Sequence, residues 1–149
     1  MIYGKRFYTR NRKNDFIHEI VKTILEEEGW TIIADPLHIS MENTPDLYID
    51  LTADKVIIAE NQTEKIAVEV KSFIGKSIQT EFYHALGQFI LYRTALQDFE
   101  ADRIVYLGVP SDAWDNLLRK DFYQKVIQQT NLKIIVFDIQ HKKSVKWIK

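Results

Sequence analysis

The chain has no cysteine among its 149 residues. Its absence excludes disulfides, thiolate zinc sites and cysteine nucleophiles together and fits a reducing, cytoplasmic setting. Glycine and proline are scarce, five and three, so loops are predicted to be short and no linker divides the chain. No apolar run approaches the roughly 18 residues that cross a bilayer. The first ten residues, MIYGKRFYTR, lack the apolar stretch of a secretory signal. Neither charge is in excess: 20 Lys and Arg stand against 21 Asp and Glu, a net charge of −1. A chain so balanced has no global attraction for nucleic acid, and any DNA binding must come from a local basic face. Gly-rich phosphate loops, serine elbows and metal-ligand spacings are also missing, His38, His84 and His141 included.

What is present is a chain 46% hydrophobic and 28% charged, with enough apolar surface to offset ordering entropy and too few residues for a second core. Residues 1–13 read as a basic N-terminal arm and 14–149 as a single domain. The arm holds Lys5, Arg6, Arg10, Arg12 and Lys13 with no acid before Asp15, interleaved with Tyr3, Phe7 and Tyr8. Two readings fit it: a frayed, solvated arm, or one that contacts phosphates and stacks bases on its aromatic rings.

Asn14 or Asp15 is predicted to cap a helix to about Glu28, with Ile17, Ile20, Val21, Ile24 and Leu25 as one apolar stripe. Gly29 supplies its C′ position. Strands are predicted at Trp30–Ala34, Asp46–Leu51, Lys55–Glu60 and Lys65–Phe73. Ser77 caps a helix over about Ile78–Leu96, its stripe made by Phe82, Ala85, Leu86 and Phe89. Arg103–Val109 is a near-continuous apolar run, the mark of a strand covered on both faces. Helical stretches around Ala113–Gln129 and strands at Leu132–Ile139 and Val145–Ile148 complete the order. That order predicts an α/β fold, a mixed central sheet flanked by helices.

The chemically informative segment is KIAVEVKS, Lys65–Ser72. Alternation turns Ile66, Val68 and Val70 to one face and Ala67, Glu69 and Lys71 to the other. A metal-dependent phosphodiesterase needs this arrangement. A hard divalent cation, Mg²⁺ or Mn²⁺, takes oxygens from Glu69, the Val70 carbonyl and a second acid, while the ammonium of Lys71 offsets charge on the phosphorus. Taken alone, an E-x-K is more often an exposed ion pair worth ~0–1 kcal/mol. A turn at Gln62-Thr63 places Glu69 opposite about Ile57, sends Glu60 away from Lys71, and brings Asp54 near Lys71. The second acid is therefore one of Asp46, Asp50 and Asp54. Asp50 is preferred because Leu47, Ile49 and Leu51 fix its face by alternation.

GWTIIADPL, YIDLTAD, KIAVEVKSFIGKS and HALGQFILYR, with the terminal IIVFD and KWI, together resemble the cyanobacterial fdxN-element excision controlling factor family, the XisH type. The resemblance runs from about His18 to Ile148. It implies a restriction-endonuclease-like fold of the PD-(D/E)XK superfamily, with Asp50, Glu69 and Lys71 as its D…E-x-K core and Asp50 and Glu69 as metal ligands. The literal "PD" falls on Pro45-Asp46 instead. Gln88 and Tyr92, at i and i+4 on one helix face, resemble the Q-x-x-x-Y of the RecB-like nuclease branch. In the first helix Glu19 points away from the apolar stripe, and His18 borders it and joins Gln88 and Tyr92 in a second tier. The implied activity is phosphodiester hydrolysis in the excision of a DNA element. The implied partners are DNA, a site-specific recombinase and a XisI-type companion. Two other readings stand beside it: a non-catalytic accessory factor, or a protein-binding module; a homo-oligomer is left open.

Overall fold

A computed structural model describes residues 12–34, 56–75 and 77–149 of the chain. The predicted strand at Asp46–Leu51, the acids Asp46, Asp50 and Asp54, and Lys5, Arg6 and Arg10 of the basic arm lie outside the described residues. Among the described residues no helix is long and apolar enough to cross a membrane.

Helix α1 spans Arg12–Glu27 and so begins ahead of Asn14 and Asp15, the expected caps. Arg and Lys are good helix formers, and the two polar residues fall within the first turn. Arg12 and Lys13, read as the end of the basic arm, lie within this helix. At its far end Gly29 takes φ 95°, the left-handed conformation that glycine adopts without strain.

Among the described residues six strands form one sheet in chain order: β1 Thr31–Ala34, β2 Val56–Glu60, β3 Lys65–Val70, β4 Arg103–Pro110, β5 Ile134–Asp138 and β6 Lys143–Ile148. The pairs β1–β2, β2–β3 and β5–β6 are antiparallel; β3–β4 and β4–β5 are parallel. The result is a mixed α/β fold, its six-stranded sheet flanked by helices. The β2–β3 turn is held by Asn61, whose side-chain oxygen accepts from the amides of Thr63 and Glu64 at 2.9 and 2.7 Å. The resulting register sets Val56 opposite Glu69 and Glu60 opposite Lys65. Glu69 thus lies one residue from the expected pairing.

Helix α2, Ile78–Phe99, joins β3 to β4, and the Ser77 hydroxyl accepts from the Thr80 amide at 3.2 Å as its N-cap. The helical stretches expected around Ala113–Gln129 form as separate pieces. Helix α3, Ser111–Ala113, runs into a π-helical turn at Trp114–Leu118, and α4 follows at Asp121–Thr130. Strand alternation sorts the core into two layers. Ile57, Ala59, Ile66, Val68 and Val70 pack with Ile17, Val21, Ile24 and Leu25 of α1. Val56, Ile58, Ala67, Val105 and Leu107 pack under Phe82, Ala85, Phe89 and Tyr92 of α2.

Candidate functional site

Glu69 shares its strand face with Ala67 and therefore looks toward α2. There it is 1% exposed, and its Oε1 lies 3.5 Å from Nζ of Lys71, which is 17% exposed. Strand β3 ends at Val70, short of the predicted Phe73, yet Lys71 stays in register because its amide donates to the Gly108 carbonyl at 2.9 Å. Little room is left for a side chain at Gly108. A Cβ would stand 3.0 Å from the Phe137 ring and 3.1 Å from Val68, beside the Glu69 carbonyl. Phe73, at φ 54°, then turns the chain out of the sheet and buries its ring in the α2 layer. A left-handed phenylalanine is a strained conformation held by its surroundings.

From above, α2 lowers Tyr92 onto this spot. Its ring is buried in the α2 layer. Burial, and then the negative charge of Glu69, push its phenol pKa well above the ordinary tyrosine value, holding the hydroxyl neutral. Gln88, one turn earlier, has a buried side-chain oxygen with no hydrogen-bond partner among the described residues. Glu69, Lys71 and Tyr92 are thus brought together from β3 and α2, and Gln88 shares the Tyr92 helix face.

His18 is buried on α1, whose apolar stripe packs on the Val68 and Val70 face of β3. Glu19 is exposed. Among the described residues no three His, Asp or Glu cluster as a metal site. The described part of the site therefore offers one buried carboxylate, an ammonium, a neutral phenol and an amide.

Arg103 was not singled out in the sequence. It is buried at the start of β4, at the end of the sheet remote from Lys71. Its Nη1 donates to the carbonyls of Ala59 and Ile66 at 3.2 and 3.0 Å, and its Nη2 and Nε pair with Glu60 at 2.7 Å and Glu100 at 2.5 Å. It clips β2, β3 and the end of α2 together. The available signal was a cation opening a run that is otherwise apolar. Of the other histidines, His141 binds Asp138 at 2.8 Å. The His141 amide, and then its side chain, lower the Asp138 carboxyl pKa.

Residues 12–145 match the family described as XisH protein. An XisH family protein from Nostoc punctiforme PCC 73102 is 39% identical, with a TM-score of 0.81, over 91% of this chain and 100% of that one. A fdxN element excision controlling factor protein from Anabaena variabilis is 42% identical, also with a TM-score of 0.81, over 91% of this chain and 99% of that one. No protein of curated function matches. A family match over most of the chain, with two solved structures similar in both sequence and fold, means that the chain belongs to the XisH family.

Proposed function

We propose that the chain is a metal-dependent nuclease of the PD-(D/E)XK, restriction-endonuclease-like superfamily that serves in controlling excision of a DNA element. The observation that carries this reading is the meeting of Glu69, Lys71 and Tyr92. The E-x-K of a sheet strand faces the tyrosine of a Q-x-x-x-Y helix across one buried layer.

The donor set suits a hard cation such as Mg²⁺ or Mn²⁺ as far as the described residues extend. Glu69 and the Val70 carbonyl would hold it, and the second carboxylate would come from Asp46, Asp50 or Asp54, with Asp50 preferred. When bound, the ion supplies an acidified water and polarises the phosphate. Lys71 places a positive charge beside the carboxylate, where it offsets charge that develops on the phosphorus. The neutral Tyr92 hydroxyl and the Gln88 amide position the ligands or the scissile strand without adding charge. DNA would be drawn in by Lys5, Arg6, Arg10, Arg12 and Lys13.

The test is cleavage of single-stranded, duplex and branched DNA by the purified chain with Mg²⁺ or Mn²⁺. Cutting that requires the metal and is lost in Glu69→Gln and in Lys71→Ala is the expected result. Cutting that survives either substitution rejects the site.

A second reading is favoured by one observation, the nearly complete burial of Glu69 in an ion pair with Lys71. A carboxylate so covered suits a scaffold, a non-catalytic factor that binds DNA, a site-specific recombinase or a XisI-type companion. Under this reading DNA is shifted in a salt-sensitive way and no divalent metal produces cleavage.

A further inference from the structure

The chain ends in HKKSVKWIK, His141–Lys149, which holds four lysines and no acid in a protein whose net charge is −1. Most of it is strand β6, which among the described residues is an edge of the sheet, paired with β5. Plain alternation would send Lys143 and Lys146, three positions apart, to opposite faces. The register prevents this. Val136 pairs with Lys146 and Phe137 with Ser144, so Val145 is an extra, bulged residue. Lys143, opposite Asp138, and Lys146 then share the face that Ile134 and Val136 turn to the α2 layer. Ser144 and Trp147 take the other face, where the serine bonds to Glu28 and the Trp147 ring stacks on Trp30 at 5.8 Å.

The face of the two lysines is also that of Glu69 and Lys71. Val70 pairs with Gly108, and the Lys71 amide bonds to the Gly108 carbonyl, so Lys71 is level with Val109. Val109 pairs with Val136, and Val136 with Lys146. One row across the sheet therefore runs from Lys71 to Lys146, three strand spacings or roughly 14 Å. Lys143 stands about 7 Å further out, toward the end at which β3 stops.

Both β6 lysines are exposed. Among the described residues neither is held in an ion pair, unlike Lys65, Lys71 and Lys149. Asp138, opposite Lys143, is engaged by its own turn: its carboxylate accepts from the His141 amide at 2.9 Å and meets the His141 ring at 2.8 Å. Lys146 is aimed by an aromatic floor. Its Nζ lies 5.0 Å from the ring centroid of Trp114, the residue that opens the π-helical turn.

We propose that Lys143 and Lys146 of β6 bind the phosphate backbone of DNA beside the Glu69–Lys71 centre. Their separation of about 7 Å along the strand direction is close to that of neighbouring phosphates on one nucleic-acid strand. Those phosphates form an even row of charge that two unpaired ammoniums complement. The reading of Glu69 and Lys71 as the reacting centre, on which this clause alone rests, sets the contact about four base steps from the bond cut, at about 3.4 Å per step. Binding itself requires neither metal nor cleavage.

Fluorescence anisotropy of a labelled duplex of about 20 base pairs with the full chain, in EDTA and from about 50 to about 200 mM salt, tests the contact apart from cutting. Affinity should fall steeply with salt. Lys143→Glu and Lys146→Glu should each raise Kd by at least about 10-fold, and Lys143→Ala and Lys146→Ala should each lower the salt slope by about 1. Glutamate keeps a charge that guards an open sheet edge, so the reversals do not act by removing that guard. Lys133→Glu, just before β5 and toward the other end of the sheet, changes net charge equally and should move Kd by less than about 3-fold. Trp114→Leu should weaken binding by about 3-fold, and not at all once Lys146 is alanine. Melting curves close to that of the unmodified chain keep the comparison one between folded proteins. Three outcomes overturn the proposal: no binding at the lowest salt, reversals no more harmful than Lys133→Glu, or polyglutamate bound more tightly than the duplex. A chain that binds DNA through these lysines and cuts none with any metal rejects the nuclease reading and leaves this surface standing.

Discussion

Glu69→Gln and Lys71→Met should have unequal effects on stability, and the inequality follows from burial. At 3.5 Å the two charges attract by about 5 kcal/mol at an effective dielectric near 20. Removing each ion from water costs several kcal/mol, so the net worth of the pair is close to zero. The two ends differ, however. Lys71 keeps 17% of its side chain in solvent, and Glu69 keeps 1%. Once Glu69 is neutral, the lysine can extend its head toward water. Unfolding free energy should then move by less than about 1 kcal/mol. Lys71→Met takes the cation from the deeper charge and should cost about 3 kcal/mol, most of which the double variant regains. Urea unfolding in the presence of a chelator, with m constant across the set, reads these differences directly. Adding Mn²⁺ at about 100 times its Kd should stabilise the unmodified chain by about 2.7 kcal/mol and leave Glu69→Gln unchanged. Equal costs for the two single variants, or equal stabilisation by the metal, would refute the reasoning.

Arg103→Met removes charge-assisted bonds to two buried carbonyls and should lower stability by about 3 kcal/mol. Calorimetry should register a fall in Tm of about 10 °C, whereas Glu60→Gln, at a partly exposed partner, should cost under about 1 kcal/mol. The raised phenol pKa of Tyr92 means that the folded chain holds this proton more tightly than the unfolded one. Its contribution is fully present below the ordinary tyrosine pKa of about 10 and is lost as pH rises beyond it. Tyr92→Phe should flatten that alkaline fall in a pH series of urea midpoints; a fall of unchanged steepness assigns it to another group. Ser77→Ala deletes the N-cap of α2 and should cost about 1 kcal/mol by urea midpoint.

Much of this architecture can be read from the chain, because it rests on local periodicities. The alternation through Ile66, Val68 and Val70 gives the face of Glu69 and Lys71. A serine before a long apolar helix marks the start of α2. A turn read at Gln62-Thr63 leads to a pairing within one residue of the observed one. The rest depends on tertiary context. Arg103 looks like a solvated strand start until Glu60, Glu100 and two carbonyls converge on it from three elements. His18 and Tyr92 both border apolar stripes, and nothing in either stripe says which face of the sheet its helix will cover. The π-helical turn at Trp114–Leu118 interrupts a pattern that suits a single helix equally well.

The sheet keeps its strands in the order in which the chain is written, β1 through β6. Among the described residues each newly made strand therefore finds its partner already formed beside it. During synthesis the hairpin of β2 and β3 can close first. The β3–α2–β4 crossover, whose parallel pairing spans the longest stretch of described chain, then becomes the slow step. Loosening Ser77 should delay folding at that crossover, and loosening β6, the last strand made, should chiefly hasten unfolding.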